Sequence, residues 1–84
     1  MTPYEPRFEV GARVEIADRA ALEMFMRTWE YHNPLKPEQL AYAKQNATIE
    51  KVGIYHGGDV LYQLLDIPGI WHEGCLRGTG EQTE

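Results

Sequence analysis

The chain has 84 residues, of which 43% are hydrophobic and 25% charged, and this composition predicts one small soluble domain spanning residues 1–84. The net charge is −5 and no two of the eight Lys and Arg residues are adjacent, which argues against nucleic-acid binding, since such binding needs clustered positive charge. The single cysteine excludes an intramolecular disulfide and no apolar run is long enough for a membrane span, so we expect a cytoplasmic protein.

The first part of the chain predicts a strand followed by a helix. Residues 1–6 contain two prolines and indicate a loose N-terminal arm. Residues 8–17 predict a half-buried strand, because one face would carry Ala12, Val14 and Ile16. Asp18 is a suitable N-cap for a helix over residues 19–32, whose apolar stripe consists of Leu22, Phe25, Met26 and Trp29.

A second and shorter helix is predicted next. Asn33-Pro34 ends the first helix, because the residue before a proline disfavours helical dihedrals. Pro37 is favourable in the first turn of a helix, so we expect a short helix from Pro37 to about Lys44. Asn46 is a candidate left-handed residue that would end it.

From residue 47 the pattern predicts β structure. Residues 47–55 favour a strand, with Gly53 as a candidate bulge. Residues 56–59, with the sequence HGGD, predict a hairpin turn, because the two glycines tolerate positive φ values. Residues 60–65 follow as a strand that is apolar on both faces, as expected of a strand in a small barrel covered by a helix.

The last part of the chain predicts a short closing strand. Pro68-Gly69 predicts a turn, Ile70-Trp71 a short strand, and residues 77–84 a frayed tail. The predicted fold is therefore mainly β within an α+β class. It has four or five short strands, with one or two helices inserted after the first strand.

Three segments carry a resemblance to known proteins: VGARVEI at 10–16, ATIEKVGIYHGGDVLYQL at 47–64 and IWHEGCL at 70–76. Together they resemble the SH3-like small barrels, and in particular those of the nitrile hydratase β-chain and of KOW-type modules. The small variable chain of ferredoxin–thioredoxin reductase has a similar outline, including an element like Tyr31-His32-Asn33-Pro34. The resemblance covers about half of the chain.

The resemblance implies an SH3-like barrel and a non-catalytic role. The cysteine-rich metal loop of nitrile hydratases lies on the partner α-chain, and a lone Cys75 cannot supply it. A β-chain-like protein would thus be an accessory subunit that supports another chain's metal site. The helical insertion between Asp18 and Gln45 departs from the family pattern, and the paired aromatic residues of a polyproline-binding SH3 domain are absent.

Four residues near predicted turns have spacings that suit zinc: His56, Asp59, His72 and Cys75. The alternative is that His56 and Asp59 merely flank the hairpin turn while Cys75 is a small core residue, in which case no cofactor is needed. A Cys75–His72 nucleophile pair is a further alternative, but no orienting acid or oxyanion loop is evident beyond Glu73. No complete catalytic constellation is found, so we do not expect an enzyme.

Aromatic residues near breaks and turns suggest a protein-binding surface. Tyrosine and tryptophan are enriched at interface hot spots, and the candidates here are Tyr31, His32, Tyr55 and Trp71. Trp71 could equally be a core residue, whereas Trp29 and Tyr62 fit the core better. We therefore predict a small protein-interaction or accessory module that acts within a larger complex. The acidic first half also allows a phage-type inhibitor of a basic or nucleic-acid-binding partner.

Overall fold

The computed structural model describes residues 6–55 and 58–79. Five strands, one α-helix and two 3-10 helices follow one another along these residues. Their bounds are β1 Arg13–Ile16, α1 Arg19–Thr28, a first 3-10 helix Pro37–Tyr42, β2 Asn46–Ile54, β3 Val60–Leu64, β4 Ile67–His72, a second 3-10 helix Glu73–Cys75 and β5 Leu76–Gly78.

The strands form one antiparallel sheet in the order β4-β3-β2-β1-β5. The nine-residue strand β2 pairs with β1 through residues 46–48 and with β3 through residues 49–54. Its register shifts between Ile49 and Lys51, which places the bulge at Glu50 and not at Gly53 as predicted. The mainly β class and the helical insertion after the first strand are confirmed.

The core lies between the inner faces of the strands and α1. Strand β1 covers Arg13–Ile16 and is shorter than the predicted strand over residues 8–17; within it Val14 and Ile16 are fully buried, as their alternation predicted. The other buried apolar residues are Phe8, Ala17, Leu22, Leu35, Ala47, Ile49, Val60, Tyr62, Leu64, Trp71, Cys75 and Leu76. Strand β3 turns Val60, Tyr62 and Leu64 inward while Gln63 is exposed, so its second face is less apolar than predicted.

A hydrogen-bond network closes one end of the core. The buried Tyr62 hydroxyl donates to Glu73 Oε2 at 2.7 Å and accepts from the Phe8 backbone N–H at 3.3 Å. The same carboxylate oxygen accepts from the Arg7 N–H at 2.8 Å. Burial and the Glu73 carboxylate raise the pKa of Tyr62 to about 12. The network therefore fastens the chain before β1 to the second 3-10 helix.

Helix α1 begins as predicted and ends earlier. The Asp18 side chain accepts from the Ala21 N–H at 2.8 Å, which confirms the N-cap. The helix stops at Thr28 instead of His32, because Trp29 takes an extended conformation and its indole N–H donates to the His32 carbonyl at 2.8 Å. Asn33 then turns the chain with φ of 49°.

The predicted second helix is a 3-10 helix that ends at Tyr42. The left-handed residue after it is Lys44, with φ of 67°, and its N–H donates to the Ile16 carbonyl at 2.9 Å. Asn46 was the predicted left-handed residue, but it is the first residue of β2. The backbone contact with β1, which the local sequence does not reveal, decides where the helix stops.

The two β-turns differ in how well they were predicted. Between β2 and β3, the Tyr55 N–H donates to the Asp59 carbonyl at 2.8 Å and Gly58 has φ of 96°, in agreement with a turn here. Of the predicted turn, His56 and Gly57 lie outside the described residues. The turn between β3 and β4 is at Leu65-Asp66, with φ of 65° at Asp66, so a turn at Pro68-Gly69 was wrong.

Pro68 and Gly69 belong instead to a bulge in β4. The paired residues Tyr62–Trp71 and Leu64–Ile67 are two positions apart in β3 but four positions apart in β4. Strand β4 therefore contains extra residues between these two pairs. Strand β4 is at the end of the sheet, so a proline without an N–H interrupts no ladder there.

Part of the predicted C-terminal tail belongs to a strand. Arg77 and Gly78 pair with β1 as part of β5, so these two residues are no frayed tail. Residues 1–5 and 80–84, the rest of the predicted arm and tail, lie outside the described residues. Within the described ranges, no helix combines the length and apolar character that crossing a bilayer requires.

Candidate functional site

The segment after α1 folds back over the end of β4 and forms an aromatic cluster. This cluster consists of Phe25, Trp29, Tyr31, His32, Tyr55 and His72. Trp29 is at its centre, stacked on Phe25 with the ring centroids 5.3 Å apart and tilted against His72 at 4.7 Å. The rings of Tyr31 and His32 are nearly perpendicular to that of Trp29, with centroids 5.3 and 5.5 Å away. The apolar stripe of α1 thereby ends in a group of rings at the surface.

His32 connects the cluster to the β2–β3 turn. Its ring lies on the ring of Tyr55, with centroids 3.7 Å apart and an interplanar angle of 13°. Its buried Nε2 is 3.1 Å from Asp59 Oδ2, close enough for an ion pair, although the two atoms are not aligned as a hydrogen bond. The contact is therefore electrostatic and strengthens when the imidazole is protonated.

His72 forms the inner side of the cluster. It is buried, and its Nε2 lies 2.8 Å from the Asn33 carbonyl oxygen, which can only accept, so Nε2 carries a proton. Burial lowers the pKa of His72, and nearby His32 lowers it further, while the Asn33 carbonyl and Asp59 raise it. His72 is thus a neutral ring that fixes the segment after α1 on the sheet.

Three of the four predicted binding residues belong to this cluster. Tyr31 is 70% exposed and contacts Trp29, and Tyr55 is 41% exposed and stacks on the half-buried His32. Trp71 is the exception, because it is fully buried and its indole N–H donates to the Pro68 carbonyl at 3.2 Å. Of the two roles left open for Trp71, the structure assigns it to the core.

The predicted zinc ligands have other neighbours in the structure. Asp59 contacts His32, and His72 contacts Asn33. Cys75 is buried, and burial raises the pKa of its thiol to about 11, which makes it a poor nucleophile as well. Among residues 6–55 and 58–79, no group of three His, Cys, Asp or Glu side chains could hold a metal ion. His56 lies outside those residues.

A cleft of about 410 Å³ beside β4 was not predicted. It lies between the first 3-10 helix and the bulge of β4, and its lining residues are Asn33, Pro34, Lys36, Glu38, Gln39, Tyr42, Pro68, Gly69 and Ile70. At its floor the buried Gln39 amide accepts from the Lys36 N–H at 2.8 Å and donates to the Ile70 carbonyl at 3.1 Å. Local sequence patterns carry no signal for it, because its walls come from two distant segments.

Comparison of the chain with protein-family models, with curated proteins and with solved structures finds no match. The resemblance to SH3-like barrels therefore remains a prediction from motifs.

Proposed function

We propose that the protein is a non-catalytic protein-interaction module, built on an SH3-like small barrel, that works as an accessory chain of a larger complex. Two features support the SH3-like small barrel. Strand β2 changes partners halfway along its length, from β1 to β3, as a strand does when a sheet curves toward a barrel. The second 3-10 helix turns the chain between β4 and β5, so that β5 reaches β1.

The observation that carries the interaction role is the exposed tyrosine pair of the aromatic cluster. Tyr31 and Tyr55 keep 70% and 41% of their surface in solvent and belong to one cluster, and aromatic side chains exposed in one patch are typical of a binding surface. Each is held by a ring beneath it, Trp29 in one case and His32 in the other. We refer to Tyr31, His32 and Tyr55 as the contact surface.

Rings held in this way are suited to binding. Tyrosine offers a large apolar area with a polar end, and a side chain already held by its neighbours loses less conformational entropy on association. Residues of this kind contribute about 2 kcal/mol or more when they become buried at an interface centre. The two tyrosines are therefore expected to dominate the affinity for a partner.

The test is affinity purification of the tagged protein from extract of its native cell, followed by mass spectrometry. We expect a stoichiometric protein partner that is retained by wild type and lost by the Tyr31→Ser/Tyr55→Ser double variant. Leu65→Ser is the matched control, because Leu65 is also half exposed but lies in the turn between β3 and β4. Thermal melting of all three proteins checks that each is folded.

The outcomes separate the proposals. Loss of the partner in both variants, or in neither, would contradict a contact surface at the tyrosine pair. The captured chain itself discriminates between roles. A cysteine-rich metalloenzyme chain would favour the nitrile-hydratase-β-like accessory subunit, whereas a basic or nucleic-acid-binding chain would favour the acidic inhibitor.

A further inference from the structure

We infer that the cleft beside β4 binds a small zwitterion, namely an α-amino acid with a large apolar side chain. The inference goes beyond the proposed interaction role, because it concerns other residues and another class of ligand. It follows from three properties of the cleft: apolar walls, a buried amide with a spare N–H donor, and two opposite charges without ion-pair partners.

The cleft has the size and the apolar walls of a small-molecule site. Its volume of about 410 Å³ lies within the range of roughly 300–1,000 Å³ that is usual for such sites. The half-buried side chains of Tyr42, in the first 3-10 helix, and Ile70, in β4, both line it, and Pro34 and Pro68 add further apolar surface. A large apolar side chain can therefore bury its surface between the helix and the strand.

The floor of the cleft offers a hydrogen-bond donor in a fixed position. Gln39 is only 4% exposed, and its amide is held by the Lys36 N–H at 2.8 Å and by the Ile70 carbonyl at 3.1 Å. A primary amide has two N–H donors, and Ile70 takes one of them. Among residues 6–55 and 58–79 the second donor has no acceptor. Because a buried donor without a partner is costly, a ligand oxygen that accepts from it is favoured.

Two opposite charges line the same cleft. Lys36 and Glu38 are both exposed, and neither forms an ion pair with any residue that the structure describes. Lys36 adjoins the Gln39 amide through its own backbone N–H, so one carboxylate can meet the ammonium of Lys36 and the spare donor of Gln39.

An α-amino acid complements both charges at once. Its carboxylate pairs with Lys36 and its ammonium with Glu38, whereas a ligand with a single charge would be attracted by one of these residues and repelled by the other. Both side chains are long and exposed, so they can adjust to the two ends of the ligand. Each of these exposed pairs should contribute roughly 2- to 5-fold to the dissociation constant.

The probe is L-phenylalanine, titrated into the ¹⁵N-labelled protein at low salt while backbone and side-chain amide shifts are recorded. The matched ligands are 3-phenylpropanoate, which lacks the ammonium, and 2-phenylethylamine, which lacks the carboxylate. We expect phenylalanine to bind with a dissociation constant on the order of 1 mM and to shift the side-chain amide of Gln39 and the backbone amides of Tyr42 and Ile70. Both matched ligands should bind at least about 3-fold more weakly.

Two variants that remove a charge locate the ligand in the cleft. Lys36→Gln should weaken phenylalanine by about 3-fold without weakening 2-phenylethylamine, which has no carboxylate to lose a partner. Glu38→Gln should weaken phenylalanine without weakening 3-phenylpropanoate. Lys51→Gln and Glu9→Gln are the matched controls, because they make the same charge changes at exposed positions outside the cleft.

Three results would each overturn the inference: an unshifted Gln39 side-chain amide, equal binding of the three ligands, or equal weakening by the cleft variants and their controls. The Tyr31→Ser/Tyr55→Ser variant should bind phenylalanine as wild type does, because neither tyrosine lines the cleft. Failure of phenylalanine to bind therefore leaves the proposed function intact. Retention of the protein partner by the tyrosine variant would contradict the proposed function and leave the ligand site intact.

Discussion

Adding a single methyl group at Gly69 tests how the cleft beside β4 is built. Gly69 has φ of 101°, a conformation that residues with a Cβ rarely adopt, and a Cβ placed there would be 2.8 Å from Nε2 of Gln39. Gln39 is buried and bonded on both sides, to the Lys36 N–H and to the Ile70 carbonyl. It cannot move away without breaking those bonds.

The expected cost of Gly69→Ala has two parts. The backbone conformation costs a residue with a Cβ about 1–2 kcal/mol. Displacement of the Gln39 amide weakens two hydrogen bonds, each worth about 0.5–1.5 kcal/mol, and leaves the Ile70 carbonyl short of a donor. We expect a loss of about 2–4 kcal/mol in the free energy of unfolding, which for a domain of this size lowers the melting temperature by roughly 8–30 °C.

The assay is urea unfolding followed by tryptophan fluorescence, with thermal melting as a second measure. Gly53→Ala is the matched control, because Gly53 lies in β2 and a Cβ there meets nothing within 4 Å. It should change the stability by no more than about 0.5 kcal/mol. Gly69→Ala in a Gln39→Ala background should cost only the backbone part, so the double-mutant cycle separates strain from steric contact.

If Gly69→Ala unfolds within about 0.5 kcal/mol of the Gly53→Ala control, the close packing of Gln39 against β4 is refuted. If Gly69→Ala lowers the free energy of unfolding by the same amount in the Gln39→Ala background, backbone strain alone accounts for the loss. Steric contact with the Gln39 amide then does not contribute.

Three further predictions concern buried titratable groups. Tyr62→Phe should lose about 1–2 kcal/mol at pH 7, because the hydroxyl bonds to Glu73 and to the backbone are removed. Since the pKa of Tyr62 is raised from 10.0 to about 12, wild-type stability should also fall as the pH rises through that window, and urea unfolding of Tyr62→Phe should show a smaller fall. Because the pKa of His72 is lowered from 6.5, wild-type stability should be full above pH 6.5 and decline as the pH drops below it. His72→Gln, which keeps a donor for the Asn33 carbonyl, should decline less, and equal slopes for the two proteins would contradict this role. The Cys75 thiol, buried and with a pKa of about 11, should react with a disulfide reagent at pH 8 far more slowly in the native protein than in 6 M guanidinium chloride, and similar rates would show that it is accessible.

The sequence predicted the elements whose signals are local. The alternation in β1 and the Asp18 cap depend on residues within a few positions of each other, and both are confirmed. The mainly β class and the place of the helical insertion followed from the same patterns. Cys75 is buried, which agrees with the alternative in which it is a small core residue.

The errors come from packing and from side-chain contacts, some of them local, that propensity patterns do not reveal. Pro68-Gly69 has the composition of a turn, but Asp66 forms the turn and the end position of β4 accommodates the proline. Helix α1 loses its last turn to a bond between the Trp29 side chain and the backbone of His32. Trp71 could not be assigned to core or surface, because its burial depends on which face of β4 meets the other strands.

The candidate site could be predicted only in part for the same reason. Tyr31, His32 and Tyr55 were correctly expected near breaks in regular structure, but the stacking of His32 on Tyr55 joins segments that are distant in the chain. Asp59 was considered both as a zinc ligand and as a residue that merely flanks the hairpin turn, and in the structure it contacts His32. The residue types indicated which side chains are candidates for binding, whereas the fold determines which residues each of them contacts.

The irregular structure of the edge strand β4 affects how the protein behaves at high concentration. An end strand of a sheet normally offers backbone groups on which another chain can add a strand, the first step toward domain-swapped or fibrillar assemblies. Here Pro68 has no N–H, side chains of the same molecule occupy the carbonyls of Pro68 and Ile70, and the bulge bends the strand. An incoming strand therefore finds no regular series of backbone hydrogen-bonding groups to pair with at this edge. High protein concentration should not drive polymerisation by strand addition to β4.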